Sequence, residues 1–173
     1  TTGRLTCLNL ANSEIIPGLA FGDHPRYRAL VDDPGNYPVL LYPGTDAYDL
    51  SSGGFPEETL RGRRLVVFLI DSTWACAKAI LRESPCLLDL PCVKFTPSEP
   101  RRYVIKRQPA PHCLSTIEAT HELLLTLERA GLDAYPDKGR LLAAFYAMRD
   151  YQIARRESDH RPRRHEKKLA RKG

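Results

Sequence analysis

Leu65-Val66-Val67-Phe68-Leu69-Ile70 runs directly into Asp71-Ser72-Thr73-Trp74, and this junction decides the fold. Six apolar, mostly branched residues in a row predict a buried parallel strand rather than a half-exposed one. The acid, two hydroxyls and an indole that follow lead into Ala75-Cys76-Ala77-Lys78-Ala79-Ile80-Leu81, a helix-forming run. Ligands bind at the carboxyl ends of strands in open α/β sheets. Asp71 and a capping hydroxyl at such an edge can hold a small molecule against a helix N-terminus. A purely structural reading is equally open: Ser72 or Thr73 caps the helix, Asp71 assists, and Trp74 fills core.

The same alternation extends outward. Residues 6–10 and 14–16 form a short opening element and its turn. Pro38-Val39-Leu40-Leu41-Tyr42 reads as a strand stopped by Pro43-Gly44, then an acidic, glycine-rich loop over 46–54 and a basic turn over 61–64. The helix from Trp74 ends at Ser84-Pro85, because the residue before proline avoids the helical region. Residues 91–95 and 102–105 read as two more strands. Ser115-x-x-Glu118 has capping-box spacing, and Gly131 sits where a C-cap belongs. A last helix over 137–153 places Leu141, Phe145, Met148 and Gln152 on one stripe. Strands alternating with helices predict an α/β fold, a mostly parallel sheet flanked by helices.

At 173 residues and 42% apolar, the chain suits one domain with a substantial core. No apolar run is long enough for a transmembrane helix, and no signal peptide opens the sequence. The five cysteines (Cys7, Cys76, Cys86, Cys92, Cys113) are scattered without a C-x-x-C pair, so no metal site is expected. Cys76, Cys86, Cys92 and Cys113 read as small core residues; scattered, unpaired thiols fit a reducing compartment, and a cytoplasmic location is expected. The net charge of +5 resides in the last nineteen residues, which hold nine Lys or Arg against three acids. Clustered positive charge attracts a polyanion, although a solvated tail has the same composition.

A further segment, Tyr103-Val104-Ile105-Lys106-Arg107-Gln108-Pro109, precedes Leu114-Ser115-Thr116-Ile117-Glu118-Ala119. The D-x-T-W motif at Asp71 and this Y-x-I…P…L-S-T-x-E-A arrangement together resemble the DTW-domain family. The likeness takes in Asn12, Leu41-Tyr42-Pro43-Gly44 and Ser84-Pro85, and covers about residues 4 to 150. The resemblance implies an S-adenosylmethionine-dependent enzyme that transfers a 3-amino-3-carboxypropyl group to a uridine of tRNA. It also implies a SPOUT-like fold with a C-terminal trefoil knot, in which the loops after Tyr42, Ile70 and Pro109 meet. Family members commonly carry an N-terminal zinc module with paired cysteines. No such pair occurs here: either this lineage lacks the module or the chain starts after it, and the lack of an initiator Met fits the second. Lys106 stands where the family often has Arg, and a point charge does not replace a planar fork.

On this resemblance Asp71, Thr73 and Trp74 are the candidate catalytic residues. Asp71 would act as general base or fix the acceptor uracil, or would neutralise the sulfonium. Ser72 and Thr73 would bind cofactor polar groups or cap the helix, and Trp74 would pack on the cofactor or in the core. Leu41, Tyr42, Pro43 and Gly44 resemble the cofactor loop. Leu114, Ser115 and Thr116 lie where free N–H groups could hold the carboxylate of the amino acid arm. Glu118 could bind its ammonium or serve only the capping box. Arg101, Arg102, Lys106 and Arg107, with Arg155, Arg156, Arg163 and Arg164 of the tail, are candidate RNA contacts. His112 and His121 read as solvated or satisfied side chains. The organisation expected is a catalytic domain over 1–153 and a basic, RNA-contacting tail over 154–173, with oligomeric state left open. A SPOUT-like RNA methyltransferase and a non-catalytic RNA-binding module are the competing readings.

Overall fold

The computed structural model describes residues 2–53, 55, 57–97 and 114–158. Four strands form one sheet in which every pairing is parallel: β1 (Asn36–Leu41), β2 (Tyr48–Asp49), β3 (Arg64–Phe68) and β4 (Cys92–Lys94), in the order β2-β4-β1-β3. β1 pairs with β3 from Asn36↔Arg64 to Leu40↔Phe68, and with β4 through Leu40↔Cys92. Because all strands run the same way, their carboxyl ends share one edge.

Alternate residues of a strand face opposite sides of a sheet, and β1 uses this to anchor two cores. Val39 joins Leu50, Phe55 and Val93, together with Leu123 and Leu127 of helix α5 (Thr116–Arg129). Leu40, one residue on, joins Tyr27 of α2 (Pro25–Val31), Leu81 of α4 (Trp74–Glu83) and Leu87. Both β1 side chains are fully buried, and each burial contributes about 1.5–3 kcal/mol. Helices therefore cover both faces, as the alternating pattern predicts.

The strand expected to be most buried is corrected in its role. β3 is parallel, as its apolar run predicts, but its residues are half-buried or exposed and it ends the strand order among the described residues. The centre is β1, which has a strand on each side. The acidic loop over 46–54 also holds structure: β2 and a 3-10 turn (Leu50–Ser52), capped by Asp49, whose side chain accepts from Ser51 N–H at 2.9 Å. α4 keeps its expected bounds and stops at Ser84. The strand expected over 102–105 lies outside the described residues.

A third cluster joins the remaining helices. Ile117 of α5 packs with Leu141 and Phe145 of α6 (Lys138–Ser158), and Leu5 of α1 (Thr2–Asn9) packs against them with Leu10, Tyr146 and Met148. α6 runs on to Ser158, past the predicted end at 153. The opening element is thus a helix laid on the two C-terminal helices. This is what brings the start of the chain to the strand-end edge.

Candidate functional site

β3 ends at Phe68, and the chain turns tightly around Asp71, with Ser72 N–H donating to Ile70 C=O at 3.2 Å. Thr73 is extended (φ −72°, ψ 157°) and its hydroxyl accepts from Cys76 N–H at 3.3 Å, so it caps α4. Ser72 donates its hydroxyl to Thr73 C=O at 3.1 Å. Of the two hydroxyls expected to cap, Thr73 does so. Trp74 opens α4 as its first residue; its side chain is not among those described.

Asp71 is exposed, and its partners come from far along the chain. Thr116 Oγ1 donates to Asp71 Oδ1 at 2.6 Å across 45 residues. Gly3 N–H donates to the same oxygen at 3.3 Å across 68 residues. The D-x-T-W turn and the Leu-Ser-Thr turn therefore meet side chain to side chain, while residues 98–113, with most of the loop after Pro109, lie outside the described residues. Both donors converge on Oδ1, and among the described residues none donates to Oδ2.

The position of Thr116 follows from the start of α5. Ser115 is extended (φ −72°, ψ 162°), and Glu118 reaches back to accept from Ser115 N–H at 2.9 Å and its hydroxyl at 2.7 Å. The predicted capping box is present, and it buries Glu118. Glu118 is thereby engaged in holding the turn. Leu114 is half-buried just before it.

The Leu41-Tyr42-Pro43-Gly44 loop leaves β1 at the same edge. Leu41 packs in the Val39 core and Tyr42 in the Leu40 core, so each is half-buried against a different layer. A Cβ on Gly44 would meet only Ala47 Cβ at 4.0 Å, so no described neighbour crowds its backbone. Lys94 at the end of β4 donates from Nζ to Gly44 C=O at 3.4 Å, which stations a cation at this edge. Gly3 and Lys94 escaped the sequence reading.

Arg155 is exposed on α6 with its guanidinium 5.9 Å from the Tyr151 ring. Arg156 is also on α6, and its side chain is not among those described. Arg101, Arg102, Lys106, Arg107, His112, Cys113, Arg163 and Arg164 lie outside the described residues. His121 is buried with Nδ1 3.1 Å from Tyr135 Oη, as expected of a satisfied histidine. Cys76 is exposed and Cys86 and Cys92 half-buried, so the expectation of core thiols is corrected for these three. Their positions at a helix start, a turn and a sheet neighbour leave part of each reachable by solvent. Burial pushes the Cys92 thiol pKa up. Among the described residues no group of three His, Cys, Asp or Glu could hold a metal ion, and no helix is long and apolar enough to cross a membrane.

A family model described as the DTW domain matches residues 1–153. The chain belongs to the DTW-domain family. It is similar to a protein of Drosophila melanogaster named tRNA-uridine aminocarboxypropyltransferase 2, at 35% identity over 106 residues, which is 61% of this chain and 39% of that protein. Proteins of the same name from Macaca fascicularis and Mus musculus are 31% and 35% identical, each over 53% of this chain and 30% of their own length. The matches thus span about a third of these curated relatives. No solved structure matches the chain. The D-x-T-W and Leu-Ser-Thr turns both lie within the matched residues, and one hydrogen bond joins them.

Proposed function

We propose that this chain is the catalytic part of a tRNA-uridine aminocarboxypropyltransferase, with S-adenosylmethionine as donor. The observation that carries this reading is the 2.6 Å bond between Thr116 and Asp71, which unites the two family motifs at the carboxyl edge of a parallel sheet. Relatives carrying the transferase name support it. The residues fit a sulfonium donor: an exposed carboxylate oxygen with no described donor suits a nearby cation, and apolar Leu41 and Tyr42 flank an uncrowded Gly44 backbone.

S-adenosylmethionine would supply an activated γ-carbon bonded to a good leaving group. The protein then has to position the acceptor and handle one proton. Asp71, held at Oδ1, accepts the N3 proton of a uridine through Oδ2. With the donor bound, the uridine N3 lone pair would bond to that γ-carbon as the γ-carbon–sulfur bond breaks, the electron pair leaving with methylthioadenosine. Ser72, Leu114 and Ser115 line the two turns that flank this carboxylate, and the start of α5 can receive the carboxylate of the transferred arm. Trp74 is assigned to the same turn.

A SPOUT-like C-terminal trefoil knot, in which the loops after Tyr42, Ile70 and Pro109 would meet, is part of this reading. The tail after 158, with Arg163 and Arg164, and the Arg155 and Arg156 end of α6 are assigned to tRNA phosphates. Incubation of the chain with donor and tRNA tests the proposal by its products. Methylthioadenosine and aminocarboxypropyluridine are expected, and Asp71→Asn should abolish both. S-adenosylhomocysteine would identify a methyltransferase instead, and an Asp71→Asn variant with wild-type turnover would remove the base assignment.

A further inference from the structure

Gly3 lies in the first turn of α1, and its backbone φ is not positive. Glycine costs about 1 kcal/mol relative to alanine within a helix, so conformational freedom does not account for it. Close approach does. A Cβ built on Gly3 would fall on Cγ and Oδ2 of Asp71 and lie 2.9 Å from its Cβ, inside any normal contact. By contrast, a Cβ on Gly22 or Gly139 would meet nothing within 4 Å. Gly3 is also buried, and its N–H donates to Asp71 Oδ1. α1 is held in this place by Leu5, which packs against the cluster of Ile117, Leu141 and Phe145.

We infer that Gly3 is a positioning residue for Asp71, and that the first turn of α1 forms one wall of the site. Its amide fixes Oδ1 together with Thr116, and its missing side chain keeps Oδ2 uncovered for the acceptor. Any larger residue at position 3 rotates the carboxylate off Thr116 or shields the oxygen that takes the proton. The catalytic sense of this inference rests on the function proposed above; its geometric sense does not.

The test uses the full chain as wild type, Gly3→Ala, Asp71→Asn and the control Gly22→Ala. By NMR, without substrate, the Gly3 amide resonance should follow the titration of the Asp71 carboxylate, and Asp71→Asn should remove that pH dependence. Gly3→Ala should displace the Asp71 titration midpoint, while Gly22→Ala leaves it in place. In the transfer assay, Gly3→Ala should lower kcat on the order of 10- to 100-fold, the scale of an ångström-sized misplacement, with KM for tRNA unchanged. A Gly3 amide indifferent to Asp71→Asn overturns the inference, as does a Gly3→Ala protein with the wild-type Asp71 titration. Should Gly3→Ala fail to fold, the Asp71→Asn comparison decides, because it adds no atoms. A wild-type chain that transfers nothing would sink the proposed function while the titrations still judge Gly3.

Discussion

At the residue scale the site is a carboxylate oriented through one oxygen. A hydroxyl at 2.6 Å is a short, charge-assisted donor, and it restricts how Asp71 rotates. Thr116→Val keeps the side chain's shape and removes that donor. Transfer by this variant is expected to fall by about ten-fold or more, the worth of one hydrogen bond to a charged group, while Thr116→Ser retains most of the rate. Equal rates for the Val and Ser variants in a steady-state assay would mean that the hydroxyl does not orient Asp71. The motif residues were legible in the sequence, because D-x-T-W and L-S-T each occupy a few consecutive positions. Their bond was not, because nothing local to Asp71 names a partner 45 residues away. Gly3 was harder still: the absence of a side chain becomes informative only when its neighbour in space is known.

At the element scale, capping and one ion pair fix how the helices enter the site. Thr73 and Ser115 begin α4 and α5 at the same edge, and both starts could be read from hydroxyls preceding helical patterns. The exit of α5 is set by Glu128. It pairs with Lys138 at 2.7 Å and accepts from Tyr135 N–H at 3.2 Å, joining α5 to the first turn of α6. Its carboxyl pKa lies below the ordinary range, chiefly through the Lys138 hydrogen bond; burial opposes this, and the Tyr135 N–H and the lysine charge add to the lowering. A carboxyl depressed in the folded state contributes stability above its unfolded pKa of about 4.3. That contribution disappears as the pH falls through the lower folded value. Thermal melts of wild type and Glu128→Gln should therefore differ at pH 6 and converge as the pH drops below about 4. A gap that stays constant down to acid pH would assign the difference to packing. Periodicity gave α6 its buried stripe of Leu141 and Phe145, but set its end at 153. Its run on to Ser158 follows no local stop signal, since no proline or glycine intervenes before Pro162.

At the scale of the whole molecule, charge and layering divide the work. The body over residues 1–154 is slightly acidic and the final nineteen residues carry the positive excess. α6 carries Arg149 and Arg155 over Tyr146 and Tyr151 on the way to that tail. Deleting residues 159–173 should weaken tRNA binding and flatten its salt dependence, because each lost phosphate contact removes close to one unit from the slope of log K against log salt. Binding titrations at several salt concentrations measure this, and unchanged slopes would assign the grip to the body.

The sequence by itself determined the strand-helix alternation, the parallel sense of the sheet, the caps of α4 and α5, and the two motifs of the site. Each is written in periodicities and hydrogen bonds that close within a few residues, so the local chain specifies them. Tertiary structure decided that β1 rather than β3 is central, that α1 lies on α5 and α6, and that Gly3 and Thr116 converge on one oxygen of Asp71. Strand order and close approach depend on which apolar faces meet, and many faces of this chain are equally apolar. Only their packing in three dimensions selects one arrangement.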